Sequence, residues 1–317
     1  MDLADGTGTL SNARAATASG NQSRPRRGLV IEDKEISVRG RVFKTAKVQA
    51  EYYEFVKDPE AFIKELKAAC PKADLVTFLQ EIHDQTPHHS YHMEPDSLAV
   101  LPITNYEHWW KKTVNDKTRN MVRKGQKAGV ELRTCEYNDE FVKGIVAIYN
   151  ECPIRQGRKF KHYGKDFETI KREHATFPER SEFIGAFLNG EMIGFIKLVH
   201  GTKTTSLMQI IAKISFRDKA PTNALLAKAV EICASRGIPY LQYGIWATRG
   251  IGDFKKHHGF VPHPVPRYYV PLNAKGRLML KTKLHHPVSE MLPEPVVDKI
   301  VAWRTKWNLR KFKPAKA

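Results

Sequence analysis

The chain has 317 residues, 41% hydrophobic and 27% charged, and its 52 Lys and Arg against 34 Asp and Glu leave a net charge of +18. That apolar fraction suffices for packed cores and excludes wholesale disorder, and the length predicts about two domains. No run approaches the roughly 18 consecutive apolar residues that a membrane-spanning helix needs.

Met1 is followed by acids and small polar residues, without the basic start and apolar run of a secretory leader. Cys70, Cys135, Cys152 and Cys233 are far apart and form no CxxC pair, so neither a disulfide framework nor a structural zinc site is expected. A cytoplasmic location is the expectation. The positive field attracts polyanions: nucleic acid, an anionic membrane surface, or phosphate-bearing small molecules.

Residues 1–27 are rich in Gly, Ala, Ser, Thr and Asn and carry little to bury, so a disordered N-terminal segment is expected. Structure should begin near Leu29. Val48 to Phe55 reads as a helix, and so does Pro59 to Leu66, which opens on Asp58 as N-cap with Pro59 at its first position. Ala73 to Leu79 and Leu98 to Ile103 read as strands, separated by a polar stretch from His83 to His92. Tyr106 to Gln126 reads as a basic helix, with Lys111, Lys112, Lys117, Arg119, Arg123, Lys124 and Lys127 interleaved with Trp109, Trp110 and Val122. It should end at Gly125 or Gly129, before a strand from Val130 to Arg133.

The next stretch has a clear order. A helix capped by Asp139 and running through Tyr149 is expected, and another from Gly164 to Thr176. Strands follow over Glu182 to Leu188, Glu191 to Val199 and Thr204 to Ala212, the first two joined by the hairpin dipeptide Asn189-Gly190. A loop from Ser215 to Pro221, a helix from Thr222 to Arg236 closed by Gly237, a strand Tyr240 to Tyr243, a short helix Asp253 to His258 and a strand Phe260 to Val270 complete it. After Pro271 the chain reads as helices broken by prolines, with six basic residues and no acid from Val301 onward. Trp303 and Trp307 give that tail a docking face or a basic arm.

This order resembles the GNAT acyltransferase fold, and in detail the FemAB/FemX-like branch of aminoacyl and peptidyl transferases. Three stretches carry the resemblance. Arg217 to Leu226 stands where a GNAT protein places its pyrophosphate loop and helix, Tyr240 to Gly244 stands at the splayed strand, and Phe254-Lys255-Lys256-His257-His258-Gly259-Phe260 is similar to the Fem-type FK-x-x-x-GF segment. The resemblance covers about residues 105–270. It implies an α/β fold with a GNAT-like mixed sheet flanked by helices: a degenerate half over 28–135, a catalytic domain over 136–270 and a basic helical tail over 271–317. One departure is informative. The acetyl-CoA signature Q/R-x-x-G-x-G/A uses glycines to bring backbone N–H groups onto a pyrophosphate. Here Arg217-Asp218-Lys219-Ala220-Pro221-Thr222 has no glycine, and Pro221 has no N–H. Acyl-CoA and aminoacyl-tRNA both remain as donor, with the missing glycines favouring the tRNA; no tightly bound cofactor is implied.

Acyl transfer to an amine needs a deprotonated acceptor, a held donor ester and a stabilised oxyanion, but no protein nucleophile. The chain offers no GxSxG and no Cys–His pair. The resemblance makes Lys255 the group that neutralises developing charge, with Lys256 as its competitor by one position. Arg217, Lys219, Thr222, Asn223, Tyr243 and Phe254 are the candidate donor-binding residues. Asn150, Arg155 and Arg158 lie in the connection that lines the GNAT acceptor site, where His162 or Tyr163 could carry a proton. Gln209, Arg267 and Tyr268 complete the acceptor set. An acceptor carrying negative charge is implied, a small molecule or a precursor. The competing expectation is a GNAT-like scaffold that only binds RNA or an anionic membrane surface through its basic patches. The spacing of His83, His88, His89 and His92 fits no known metal site, so no metal is expected.

Overall fold

The computed structural model describes residues 29–246, 251–286 and Trp303. The expected disordered segment and the proline-broken helices of the tail fall outside these residues. The first strands are β1 (Leu29–Ile31), β2 (Lys34–Arg39) and β3 (Thr45–Val48), followed by helix α1 (Pro59–Ala69), β4 (Leu75–Leu79) and β5 (His92–Pro102). A helical turn with a π-type second half spans 106–113 and leads to α2 (Asp116–Lys127), β6 (Glu131–Cys135), α3 (Asp139–Tyr149) and the two-residue strands β7 (Ile154–Arg155) and β8 (Arg158–Lys159). Next come α4 (Phe167–His174), β9 (Ser181–Leu188), β10 (Glu191–His200), β11 (Thr204–Ala212) and a 3-10 turn over Ile214–Lys219. The chain continues through α5 (Pro221–Ser235), β12 (Tyr240–Ile245), α6 (Ile251–His257), β13 (Val261–Pro271) and α7 (Ala274–Lys281).

Two compact units result. One takes 99–261; the other takes the described residues before 99 together with 262–286. This differs from the expected division at residue 135: the basic helix and β6 belong with the later elements. The physical reason is burial. Trp109, Val114, Val122 and Val130 pack with Leu225, Leu226, Ala229 and Val230 of α5 in one core. The stretch after 261 belongs with the early strands for the same reason, since Tyr268 and Val270 share a core with Phe62, Leu66, Val76 and Phe78.

In the early unit β1, β2 and β3 form an antiparallel meander, β3 runs parallel to β4, and β13 lies antiparallel to β4. Helix α1 forms as its sequence demands, with Asp58 Oδ1 accepting from the N–H of Glu60 and Ala61 at 3.1 Å. The helix expected over Val48 to Phe55 does not form. Val48 ends β3 opposite Ile36, and Glu51 turns inward to meet Lys47 and Arg267, a tertiary pairing that overrides local propensity.

In the later unit the strands run in the order β12-β11-β10-β9-β6. All neighbours are antiparallel except β11 with β12. Asn189 and Gly190 have φ of 52° and 83°, the two positive values that a type I′ hairpin requires. Ile184, Ile193 and Ile196 face α5 on one side, while Phe183, Met192 and Phe195 face α3 and α4 on the other. Helices therefore cover both faces of the mixed sheet, as the sequence predicts. The basic helix is split at Val114 and Asn115, where Asn115 caps α2 and Arg119 donates to the carbonyls of Trp110 and Val114 at 2.9 and 2.7 Å. Smaller corrections concern α3, capped by Asn138, and α4, which starts at Phe167 under an Asp166 cap.

Candidate active site

β11 pairs with β12 only over Thr204–Ser206 against Tyr240–Gln242. Beyond that point β11 continues to Ala212 and β12 to Ile245 without pairing to each other. The cause lies in the register with β10: Lys197 opposes Gln209 and Leu198 opposes Leu207, so Met208 is an extra residue. A bulge bends its strand and breaks the ladder locally. The two strands thus splay and leave backbone groups of Gln209–Ala212 and Tyr243–Ile245 free of each other.

Lys255 sits at this opening. It is only 4% exposed, its Nζ donates to Ile245 O at 2.7 Å, and it lies 4.7 Å from the centre of the Tyr243 ring. Burial lowers its ammonium to about 8. Lys256 instead lies 6.0 Å from the Trp246 ring and stays exposed, so of the two lysines Lys255 is the one buried at the opening. The rest of the segment explains its own pattern. Phe254 packs against the α5 core, and Phe260 is buried in it. His258 Nδ1 bonds Phe254 O at 2.7 Å, and its carbonyl accepts from Trp109 Nε1 at 2.8 Å. Gly259 has φ of 89° and stands where a Cβ would come 2.3 Å from Thr113 Cγ2. Lys255 is thereby fixed between two anchored aromatics.

Of the expected donor-binding residues, Arg217, Lys219, Thr222 and Asn223 stand at or just before the start of α5. Ala220 is left-handed at φ 52°, and the N–H groups of both Asn223 and Ala224 are directed to Ala220 O at 3.1 and 3.3 Å. Pro221 has no N–H to add. This N-terminus is therefore poor in free donors for a pyrophosphate. Arg217 is exposed, Lys219 pairs with Asp218 at 2.9 Å, and Thr222 and Asn223 are half-buried. A residue that the sequence did not single out holds the turn before them: Glu151 accepts from Ile214 N at 2.6 Å, Ser215 N at 2.9 Å and Ser215 Oγ at 2.6 Å. Burial opposes ionisation of Glu151, but these bonds outweigh it and its pKa is lowered.

The expected acceptor residues are more dispersed. Arg155 is committed to the scaffold: it donates to Ala212 O at 2.7 Å, to Ile148 O at 3.0 Å and to Glu151 at 3.2 Å. Asn150 closes its own loop, bonding Lys165 O and accepting from Gly164 N. His162 is buried against Tyr149 at 4.5 Å, and burial with the nearby Lys165 pushes it down to about 3, which leaves a neutral packing ring. Tyr163 is exposed, and Arg158 is half-buried on β8. Gln209 shares a face with Lys197 and Ile211, opposite to that of Tyr243. Arg267 and Tyr268 belong to the core of the early unit. Arg267 is bonded to Glu51, Asp96 and Thr77, and Tyr268 OH donates to Gln80. Neither side chain is available to an acceptor, because each is buried and saturated by partners that the sequence did not reveal.

Lys197 was also missed. It lies in the apolar strand β10, fully buried, with Nζ donating to His174 O, Thr176 O and Thr176 Oγ1 at 2.8, 2.7 and 2.9 Å. Burial lowers it to about 7. His174 Nε2 meets Tyr149 OH at 2.9 Å, and burial drives that imidazole to about 3. A cleft of about 390 Å³ opens beside His174 and Thr176, lined also by Tyr137, Glu182 and Phe183. It is not the strand opening at Lys255. Among the described residues no helix is long and apolar enough to cross a membrane, and the four cysteines are unpaired.

No family model matches the chain, and no curated protein matches it in sequence. Solved structures do match in fold. The C-terminal domain of a protein from Agrobacterium fabrum, assigned as a lysylphosphatidylglycerol synthetase, superposes with a TM-score of 0.53 at 13% identity, covering 81% of this chain and 88% of that one. FemX matches with a TM-score of 0.52 at 10% identity over 78% and 86% of the two chains. L-PGS from Bacillus licheniformis matches with a TM-score of 0.50 at 14% identity over 79% and 85%. The likeness is one of architecture: the chain has an α/β, GNAT-like fold that it shares with FemX.

Proposed function

We propose that the chain is an acyl or aminoacyl transferase whose donor carbonyl lies between the splayed ends of β11 and β12 and is stabilised there by Lys255. The observation that carries this reading is the buried Lys255 Nζ, held by Ile245 O at the strand opening. A partly desolvated ammonium aimed at a developing oxyanion is worth about 3–4 kcal/mol, and it needs no protein nucleophile. Its pKa of about 8 leaves it mostly charged at neutral pH.

For the donor, aminoacyl-tRNA is the better fit. The glycine-free start of α5 offers few N–H groups, which counts against CoA. The exposed Lys117, Arg123, Lys124 and Lys127 of α2 offer phosphate contacts, and Lys124 lies close enough to Asp218 to lower its pKa. The acceptor is an amine on a molecule with negative charge, in keeping with the +18 balance. The test is incubation with labelled aminoacyl-tRNA or labelled acetyl-CoA and a pool of amino acids and amino-sugar phosphates. Label should move from the tRNA to an amine and stop moving in Lys255→Ala. Transfer from acetyl-CoA would overturn the donor assignment, and equal transfer by Lys255→Ala would overturn the role of the lysine. A protein that binds tRNA but moves no label from either donor is the non-catalytic scaffold instead.

A further inference from the structure

In the early unit three imidazoles converge on one carboxylate. Glu94 Oε1 lies 3.0 Å from His92 Nε2 and 2.9 Å from His285 Nε2, and its Oε2 lies 3.2 Å from His286 Nε2. His92 and Glu94 are two apart on β5 and so share a face; the turn after α7 brings the other two rings from almost 200 positions away, a separation of 191 for Glu94 and His285. The potential ligand atoms of His92, Glu94 and His285 all lie within 4.8 Å of one another.

His285 is 1% exposed, packs edge-on against Tyr269 at 4.7 Å, and places Nδ1 3.4 Å from Met279 O. An ionised carboxylate only accepts, so a proton or a metal ion lies between each facing imidazole nitrogen and the carboxylate. With the His285 proton on Nδ1, toward the carbonyl, Nε2 presents a lone pair to the same Glu94 oxygen that His92 Nε2 approaches, at 2.9 and 3.0 Å. Two imidazole nitrogens and a carboxylate oxygen gathered this closely form a ready ligand set for a metal ion. Tetrahedral zinc, with bonds near 2.0–2.1 Å to nitrogen and similar to oxygen, holds its ligand atoms roughly 3.3 Å apart. The observed 2.9 and 3.0 Å separations need only a small expansion to admit it.

We propose that His92, Glu94 and His285 form a divalent-metal site of zinc type, with His286 bonded to the outer oxygen of Glu94 and solvent in the remaining position. Two imidazoles with one carboxylate suit zinc and exclude magnesium and calcium, which take oxygen ligands. Met279 O is the outer partner that fixes the tautomer of the buried ligand. His92 is 47% exposed, so the ion has a way in. The other early histidines do not take part: His83 pairs with Glu81, and His88 pairs with Asp84.

The test is titration of the chelator-treated full chain with Zn²⁺ against a chromophoric competitor, with Co²⁺ as the spectroscopic probe. One equivalent should bind with a dissociation constant below about 1 μM, and Co²⁺ should give the intense visible bands of a four-coordinate site. Glu94→Gln and His285→Gln should weaken binding at least tenfold, while His88→Gln should leave it unchanged. If His285→Gln fails to fold, the exposed His92→Gln provides the same reading. Binding no tighter than millimolar, or tight binding indifferent to all three ligand substitutions, would overturn the site. Neither result bears on transferase activity, which depends on the other unit.

Discussion

Lys197 offers a direct physical check on the packing of the sheet. Its ammonium is fully buried and burial alone takes it from 10.5 to about 7. The sign follows from proton counting. Between the folded and unfolded values the unfolded chain holds a proton that the folded chain has lost, so stability rises with pH across that window and is flat below about pH 6. A shift of this size corresponds to a slope approaching ~1.4 kcal/mol per pH unit, or about 2 kcal/mol gained between pH 7 and pH 9. Lys197→Met removes the titration and also three hydrogen bonds, a loss that is constant with pH. Paired urea melts of both proteins across this range isolate the lysine, because every other group cancels in the difference. The wild type should gain about 2 kcal/mol on the variant from pH 7 to pH 9. A pH-independent difference would mean that Lys197 keeps its ordinary affinity for protons, and the burial argument would fail.

Further outcomes follow from particular contacts. Arg267→Met strands Glu51 and Asp96 in the core, so urea melts should show a loss of about 3–5 kcal/mol. Gly259→Ala places a Cβ 2.3 Å from Thr113 at φ 89°, and should cost about 1–3 kcal/mol of stability while loosening the segment that fixes Lys255. In the transfer assay Lys255→Ala should lower kcat by about 10²–10³. The wild-type rate should fall as pH rises through about 8, where the ammonium is lost, and Lys255→Arg should move that limb to higher pH. Charge reversal at Lys124 and Lys127 should weaken tRNA binding and flatten its log–log salt dependence by about 1–2 units, as read from filter binding over a salt series.

The later unit was largely legible because its signals are local. Asn189-Gly190 specifies a hairpin on its own, Gly237 ends a helix, and the apolar runs at 182–212 are strands under any packing. The segment Phe254 to Phe260 was legible for a different reason: it needs a left-handed glycine and buried aromatics on either side, and that need leaves a pattern in the chain. What stayed hidden depends on partners remote in sequence. Arg267 reads as a surface cation beside two tyrosines until Glu51 and Asp96 are seen against it. Arg155 sits in a basic stretch that looks built for an anion, yet its guanidinium is used to bind Ala212 O and Ile148 O. Lys197 had a visible signal, a lone cation inside the run Met192 to Val199, which is otherwise apolar on both faces. The division of the chain was misplaced because periodicity marks the basic helix but not the core that it joins.

The central claim is that the opening between β11 and β12 receives the acylated end of a tRNA. Equilibrium binding of charged and deacylated tRNA, each with acetyl-CoA as competitor, tests it most directly. The account predicts tighter binding of the charged form, undisturbed by acetyl-CoA. Indifference to the aminoacyl group, or displacement of the tRNA by acetyl-CoA, would contradict it.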